Sequence, residues 1–406
     1  MSKRLSRRTL LSSVAGAVGG TAASRALPAL AQTPTDTTRT RGPGPRTLGM
    51  RSPFEQPQRD PSPTSSRTPL QDLHGTITPS DLHFERHHGG IPDIDPHEYQ
   101  LLVHGLVDRP TVFSLDDLKR FPATSRICFL ECSGNLRRGR EDLSPQLLCG
   151  LTSQTEWTGV RLATVLREVG VQPPAAWLLA EGQDAAVMTR SIPMTKAWDD
   201  ALIVYAQNGE PLRPAHGYPA RLLLPGWEGN SSVKWLRRID IGNAPFMTRE
   251  ETSRYTDPLG DGTARQFSFI MDARSVITSP SYPQTLNPGW HEIRGIAWSG
   301  RGRIERVEVS IDGGSTWEDS VLQTPVLPKA HVRFRHLWNW RGTETEIVSR
   351  ATDETGYIQP TFDALVAARG PRTRYHQNPV TGWRIGTGGQ VRLSLERLGG
   401  RIGPRA

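Results

Sequence analysis

The sequence contains three cysteines, Cys128, Cys132 and Cys149, and their number and spacing limit the chemistry they can perform. An odd number of thiols leaves at least one without a disulfide partner, and such a thiol in an exported protein indicates a function. No C-x-x-C pair and no C-x-x-C-H motif occurs in the chain, which argues against a covalently attached haem and a zinc ribbon. The remaining roles are a metal-bound thiolate, a buried apolar residue and a disulfide.

Arginine and tyrosine side chains are the other candidates for chemistry. A guanidinium group is planar and always charged, so an arginine such as Arg86 or Arg137 can bind two oxygens of an oxyanion, and the alternative is a surface position. The phenol of Tyr255 can donate a hydrogen bond and move a proton, and the alternative is a half-buried aromatic residue whose hydroxyl group is satisfied.

The segment FLECSGNLRR, residues 129–138, resembles the cysteine loop of the sulfite oxidase family, in which the thiolate binds molybdenum. Further similar segments follow in the family's order and extend the likeness from about residue 75 to 390; they are residues 84–88, 92–96, 150–160, 216–221, 225–227 and 232–236. Several motifs in one order are a more specific signal than a single short pattern.

The resemblance implies roles for individual side chains. It implies that Cys132 binds molybdenum, that Arg86 and Arg137 bind a sulfur oxyanion, and that Tyr255 acts at the reacting centre with Trp157 packed against the pocket. It also implies that molybdopterin, whose phosphate needs cationic or N–H donors, is bound by His88, Asp184, His216, Arg221, Ser232, Val233 and Lys234. The alternative for this last set is solvated loop residues.

One position departs from the family pattern. Leu136 stands where animal and plant sulfite oxidases usually carry another arginine, so we expect a less positive anion pocket. The segments 205–210, 225–230 and 297–302 are similar to the sulfane dehydrogenase branch of the family. Arg384, which follows Trp383, weakly resembles a third substrate arginine.

The function implied by the resemblance is molybdenum-dependent oxidation of sulfite, or of sulfane sulfur bound to a carrier protein, by oxygen-atom transfer. The choice among free sulfite, thiosulfate and a protein-bound persulfide stays open. Because no haem motif is present, we expect a c-type cytochrome as the electron acceptor, such as a dihaem subunit. The alternatives are a periplasmic reductase of the same family, acting on nitrate or oxidised methionine, and a non-enzymatic extracellular β module.

The segments around these residues alternate between strand and helix patterns up to about residue 265. The sequence predicts a strand over residues 99–105, a helix over 114–121 and a second helix over 158–170. After residue 265 it predicts short strands, including a hairpin over 304–318 and a strand over 346–353. The predicted fold class is therefore α+β, with a mixed molybdopterin-binding domain (residues 71–265), an all-β immunoglobulin-like sandwich (266–395) and a tail (396–406).

The sandwich domain is also the predicted site of homodimer formation, as in related enzymes. Six of the eleven tryptophans lie in it, and tryptophan is common at interfaces. The alternative is that all six pack inside the domain; they are Trp290, Trp298, Trp317, Trp338, Trp340 and Trp383.

The N-terminal residues predict export to the periplasm. Arg7 and Arg8 precede a weakly apolar run and the small residues Ala29 and Ala31, a pattern typical of a twin-arginine signal over residues 1–31. The alternative is a membrane anchor, but the run is shorter than the roughly 20 residues that a spanning helix needs. Residues 32–70 contain eight prolines and predict a mobile linker.

Charge argues against a nucleic-acid partner. The net charge of +8 comes from residues 1–70, and residues 71–406 carry equal numbers of acidic and basic side chains. Phosphate binding requires concentrated positive charge, which the predicted folded body lacks.

Overall fold

The structure is a computed structural model that describes residues 44–259, 261–371 and 373–399. The predicted signal peptide lies outside the described residues. Residues 44–56 belong to a unit of their own, and their side chains are exposed. No helix among the described residues is long and apolar enough to cross a membrane.

Residues 57–265 form short strands and helices in alternation. The helices are α1 (Leu115–Arg120), α2 (Pro145–Cys149), α3 (Leu162–Val169), α4 (Met194–Asp199) and α5 (Arg249–Thr252). The strands are β1 (Asp60–Ser62), β2 (Ser65–Arg67), β3 (Glu85–Arg86), β4 (Leu101–Gly105), β5 (Thr111–Phe113), β6 (Ala123–Glu131), β7 (Thr152–Arg161), β8 (Trp177–Gly182), β9 (Thr189–Pro193), β10 (Leu202–Gln207), β11 (Glu210–Pro211), β12 (Arg221–Leu223), β13 (Leu236–Gly242), β14 (Asp257–Pro258) and β15 (Ala264–Arg265).

Two five-stranded sheets make up most of this first domain. One has the order β11-β10-β7-β6, with β12 paired to β10, and the other is β5-β4-β13-β8-β9 with a parallel β4–β13 pair. Capping residues determine where two helices of this domain begin or end. Ser114 and Asp117 form a capping box at the start of α1, and Gly170 ends α3 with a φ of 71°, a conformation that favours glycine.

The C-terminal domain consists of two antiparallel sheets. Their orders are β16-β17-β21-β20 and β19-β18-β22-β23-β24. The strands are β16 (Arg274–Ser279), β17 (Gly289–Trp298), β18 (Ile304–Ser310), β19 (Glu318–Asp319), β20 (Val321–Leu322), β21 (Val332–Trp340), β22 (Thr345–Asp353), β23 (Gly382–Ile385) and β24 (Val391–Leu393), and one helix, α6 (Phe362–Arg369), follows β22. The predicted order of an α+β domain and an all-β sandwich is confirmed.

Three local predictions differ from the structure. Helix α3 begins four residues later than predicted, because residues 158–161 are the end of β7 and pair with β6 and β10. The linker prediction is wrong for residues 57–70, where β2 pairs with β3 and Thr68 and Leu70 are buried. The predicted tail also starts too early, since Leu398 is buried in the sandwich core. In each case pairing or packing with distant segments overrides the local composition.

The tryptophans of the sandwich mostly pack inside it. Trp298, Trp338, Trp340 and Trp383 are buried, whereas Trp290 is 67 % exposed on β17. For these four tryptophans the alternative interpretation, packing inside the domain, is therefore correct. Trp290 remains a candidate interface residue.

A buried ion pair joins the two domains at the end of β6. Arg274, on β16, donates to the Glu131 carboxylate at 2.6 Å, and the Trp298 indole donates to its other oxygen at 2.6 Å. The Arg274 guanidinium also donates to the Asn135 carbonyl at 2.7 Å. Glu131 and Arg274 are both almost fully buried. Since Glu131 immediately precedes Cys132, the second domain fixes the cysteine loop.

We predict that Arg274→Ala lowers the free energy of unfolding by about 3–5 kcal/mol, because it leaves the Glu131 carboxylate buried without its ion-pair partner. Denaturant titration of the purified protein would measure this. The control is Arg335→Ala, which removes an ion pair with Glu292 that is about half exposed and should cost less than about 1 kcal/mol. Equal losses in the two variants would contradict the prediction.

Candidate active site

The cysteine loop opens into a cavity of about 380 Å³ at the junction of the two domains. The cavity is large enough for a cofactor-sized ligand. Ten of the predicted site residues line it: Arg86, His88, Cys132, Asp184, His216, Arg221, Ser232, Val233, Lys234 and Tyr255.

Cys132 lies directly after β6, and both of its backbone groups are bonded. Its N–H donates to the Leu151 carbonyl at 2.9 Å, and its carbonyl accepts from the Asn135 N–H at 3.0 Å. Burial raises the pKa of the Cys132 thiol, while the Gly134 N–H and the Arg86 charge lower it. A metal ion would favour the thiolate further, so the position fits a soft-metal ligand.

The other two cysteines are core residues. Cys128 and Cys149 are buried in different apolar clusters, and burial raises the pKa of each thiol to about 12. All three cysteines are free, so no Cys128–Cys149 bridge forms.

Phenols and arginines line one part of the cavity. The Tyr255 hydroxyl lies 3.2 Å from His88 Nε2, and the Tyr375 ring lies 5.3 Å from the Tyr255 ring. Burial raises the pKa of Tyr255, which keeps its phenol protonated. Arg86 and Arg254 also line this cavity, and their positive charges suit an oxyanion.

Buried cations line another part of the cavity, which adjoins Arg86, because the Lys234 ammonium donates to the Arg86 carbonyl at 3.2 Å. Arg221 donates to the His216 carbonyl at 2.9 Å and to the Ser232 carbonyl at 2.6 Å, and burial lowers its pKa to about 9. The Lys234 ammonium donates to the Ala215 carbonyl at 3.0 Å. Burial and the nearby Arg221 charge lower the pKa of Lys234 well below its usual range, while Asp184 opposes this effect.

His216 presents a free ring nitrogen in this part of the cavity. Its Nδ1 lies 2.8 Å from Gln207 Oε1, whereas its Nε2 is buried without a hydrogen-bond partner. The Gln207 oxygen can only accept, so Nδ1 donates to it, and the lowered pKa of His216 keeps the ring neutral with Nε2 as an acceptor. Buried polar atoms are rarely left unpaired, so this acceptor indicates a bound group that donates a hydrogen bond. The N–H groups of the pterin of the molybdenum cofactor fit this acceptor, and its phosphate fits the Arg221 and Lys234 donors.

Three predicted residues lie outside the cavity. Arg137 is exposed, because the loop after Cys132 turns outward, and its predicted contact with the substrate is not supported. Trp157 is fully buried behind the cavity, with its ring 5.3 Å from the Arg221 guanidinium. Arg384 lies on β23, 3.1 Å from the Glu396 carboxylate, and does not line the cavity.

The sequence prediction missed other residues that line the cavity. Several are neighbours of predicted residues, so their positions could have indicated them: Glu85, His87, Ser133, Gly134, Trp235 and Arg254. Tyr375 has no such local signal, because it comes from the C-terminal domain.

Two protein-family descriptions match the chain. Residues 88–250 match the oxidoreductase molybdopterin binding domain, and residues 265–382 match the Mo-co oxidoreductase dimerisation domain. The first match confirms the predicted molybdopterin cofactor.

Curated relatives include enzymes that run in opposite redox directions. A nitrate reductase [NADH] from Ulva prolifera is 33 % identical over 346 residues, which cover 73 % of this chain and 40 % of that protein. The mitochondrial sulfite oxidase from Mus musculus is 32 % identical over 323 residues, which cover 70 % of this chain and 58 % of that protein. The chain thus spans about half the length of these curated relatives.

A solved structure matches over nearly its whole length. The crystal structure of the sulfane dehydrogenase SoxCD from Paracoccus pantotrophus is similar with a TM-score of 0.86 and 43 % identity, covering 90 % of this chain and 97 % of that chain. The chain belongs to the sulfite oxidase family of molybdopterin oxidoreductases.

Proposed function

We propose that this protein oxidises a sulfur compound and passes the electrons to a c-type cytochrome. The observation that carries the proposal is the convergence of Cys132, Arg86 and Tyr255 on one cavity, next to buried cations that suit molybdopterin. The likeness to a sulfane dehydrogenase over 97 % of that chain supports it.

When bound, the molybdenum cofactor supplies two-electron oxygen-atom transfer. Cys132 would provide the thiolate ligand, and His216, Arg221, Ser232 and Lys234 would bind the pterin and its phosphate. With sulfite, one turnover consumes one water and yields sulfate, two protons and two electrons. Arg86 would hold the oxyanion, and the Tyr255 phenol would donate a hydrogen bond to an oxygen near the metal.

We propose sulfane sulfur as the substrate, and the cysteine loop supports this choice. Leu136, which replaces an arginine of animal and plant sulfite oxidases, packs against the sandwich core, and Arg137 faces solvent. This loop therefore brings no positive charge to the cavity, so a doubly charged oxyanion is less well neutralised. We propose that the sulfur is presented on a carrier protein. Steady-state assays with sulfite, thiosulfate and a carrier-bound persulfide would rank these substrates.

Nitrate reductases among the curated relatives make the reverse direction a second candidate. Turnover of nitrate with a reduced donor, without turnover of sulfur compounds with cytochrome c, would support it.

We also propose that the protein acts in the periplasm. Arg7 and Arg8 support this, because the twin-arginine route exports proteins that are already folded around a cofactor. Detection of the mature protein in the periplasmic fraction would test it.

We predict that the protein purified after cofactor loading contains about one molybdenum per chain, since one thiolate and one dithiolene complete a single site. Cys132→Ser should abolish turnover and leave the unfolding midpoint of the cofactor-free protein unchanged, because the side chain lines the cavity and would serve there as the metal ligand. Metal analysis, the turnover assay and thermal unfolding measure the three quantities. Cys149→Ala is the control and should retain both metal and turnover; full activity of Cys132→Ser would refute the site.

Arg86 and Arg137, which precede and follow Cys132 in the sequence, provide a matched pair of variants. Arg86→Gln should lower kcat/KM for sulfite, with a loss of transition-state stabilisation of about 2–4 kcal/mol, because an anion contact inside the cavity is lost. Arg137→Gln should leave kcat/KM unchanged, since that side chain is exposed. A larger loss of kcat/KM in Arg137→Gln than in Arg86→Gln would show that the substrate approaches from the Arg137 side of the loop.

The dimer is the remaining proposal about partners. The outer face of the four-stranded sheet exposes Trp290, Val321 and Leu337 at 67 %, 71 % and 66 %. Glu292 is the next residue after Trp290 on the same face of β17, and it pairs with Leu337 of β21. Trp290 and Leu337 therefore lie on the same face of the sheet. Because residues 265–382 match a dimerisation domain, we propose that a second copy of this chain covers this face.

We predict that Trp290→Ser combined with Leu337→Ser converts the dimer into a monomer at micromolar concentration, because the exposed apolar contact is removed. Sedimentation velocity would measure the change. Val112→Ser is the control, since Val112 is 51 % exposed on the first domain. A monomeric wild type would refute the dimer, and a dimeric double variant would refute this face.

A further inference from the structure

Arg190 is an almost fully buried arginine that does not line the cavity and has no part in the mechanism proposed above. It lies on β9. Its Nε donates to Glu251 Oε1 at 2.8 Å, and its Nη1 donates to Glu228 Oε1 at 2.8 Å. Both carboxylates are buried as well. Its guanidinium also lies 5.0 Å from the centre of the Tyr255 ring.

The Glu251 contact fixes the segment that carries Tyr255. Helix α5 has only four residues, and a helix of this length is not stable on its own. Glu251 belongs to α5, and its carboxylate binds both Arg190 and the Ser191 N–H, the latter at 2.9 Å. Tyr255 follows with a φ of 47°, a conformation that a non-glycine residue keeps only when its surroundings hold it.

The Glu228 contact reaches the cysteine loop. His376 Nε2 lies 3.2 Å from the second oxygen of Glu228, and the His376 N–H donates to the Ser133 carbonyl at 2.8 Å. Glu228 also forms a β-bridge with Glu131, the residue before Cys132. Arg190 therefore connects the segment that carries Tyr255 with both sides of Cys132.

Stability alone is a weak reason for such a cluster. A buried ion triad is often no more stable than apolar residues of similar volume, because desolvation offsets the attraction. A fixed cation beneath the face of the Tyr255 ring, by contrast, sets both the position of the phenol and its electrostatic surroundings.

We propose that Arg190 is a positioning residue that acts on the reaction through Tyr255. The inference rests on the proposed function, in which the phenol of Tyr255 contacts the reacting oxygen. Arg190 holds α5 through Glu251 and the cysteine loop through Glu228, and its charge lies against the Tyr255 ring. Loss of this contact should slow the chemical step more than it weakens substrate binding.

The test is a double-mutant cycle on the molybdenum-loaded enzyme, with kcat and KM normalised to metal content. Arg190→Lys keeps the charge but loses the two-pronged contact, so it should lower kcat roughly tenfold, with a smaller change in KM. In the Tyr255→Phe background the same substitution should change kcat by less than about twofold. Additive effects on kcat would overturn the proposal, as would a wild-type kcat for Arg190→Lys.

A second readout does not depend on activity. Near-ultraviolet circular dichroism reports a tyrosine whose ring is fixed in position. The difference spectrum between the wild type and Tyr255→Phe should therefore be large. The difference spectrum between Arg190→Lys and the double variant Arg190→Lys/Tyr255→Phe should be smaller. Equal difference spectra would overturn the proposal. If Arg190→Lys does not fold, Glu251→Gln serves in the same cycle and should show the same coupling with Tyr255.

The control is Arg350→Lys, which alters a similar two-pronged pair with Glu308 in the C-terminal sandwich, at 2.8 and 3.0 Å. It should leave kcat unchanged in both backgrounds. A wild-type kcat for Tyr255→Phe alone would refute the role of Tyr255 in the proposed function and this inference with it. A lowered kcat for Tyr255→Phe with an additive cycle would refute only the inference about Arg190.

Discussion

The candidate site depends on how the carboxylate of Glu131 is bound at the end of β6. It accepts hydrogen bonds from Arg274 and Trp298 of the C-terminal domain and from Asn135 of its own loop. A buried carboxylate without these partners would raise the free energy of the folded state. The loop that carries Cys132 therefore adopts its conformation only when both domains are packed together. The sandwich therefore shapes the site from outside, and Tyr375 shows that it also lines the cavity.

The buried cations Arg221 and Lys234 favour an anion inside the cavity. Burial lowers the pKa of Arg221 to about 9 and that of Lys234 well below its usual range, because the described residues offer these cations mainly carbonyl groups. A phosphate-bearing ligand would supply the missing negative charge. Such a ligand binds only the folded protein, so it should also stabilise the fold.

Charge is compensated differently in the buried cluster beside the Tyr255 ring. There Arg190 is neutralised by Glu228 and Glu251, and burial, which by itself would raise the pKa of Glu228, is outweighed by Arg190 and His376, which lower that pKa to about 2. This cluster is complete without any ligand. The guanidinium and the two carboxylates of this cluster are paired with one another and with His376, whereas the cavity itself presents buried cations to an added anion.

The sequence by itself determined the order of the motifs, the fold class and ten of the residues that line the cavity, through local patterns and through the resemblance of short segments to the family. It could not determine the direction of a side chain on an irregular loop, so Arg137 was predicted inside the cavity although it faces solvent. Only the tertiary structure brought Arg274 to Glu131, 143 positions apart, and Glu251 to Arg190, 61 positions apart. No local pattern marks such pairs, since each side chain is selected by a partner that only the packed fold places beside it.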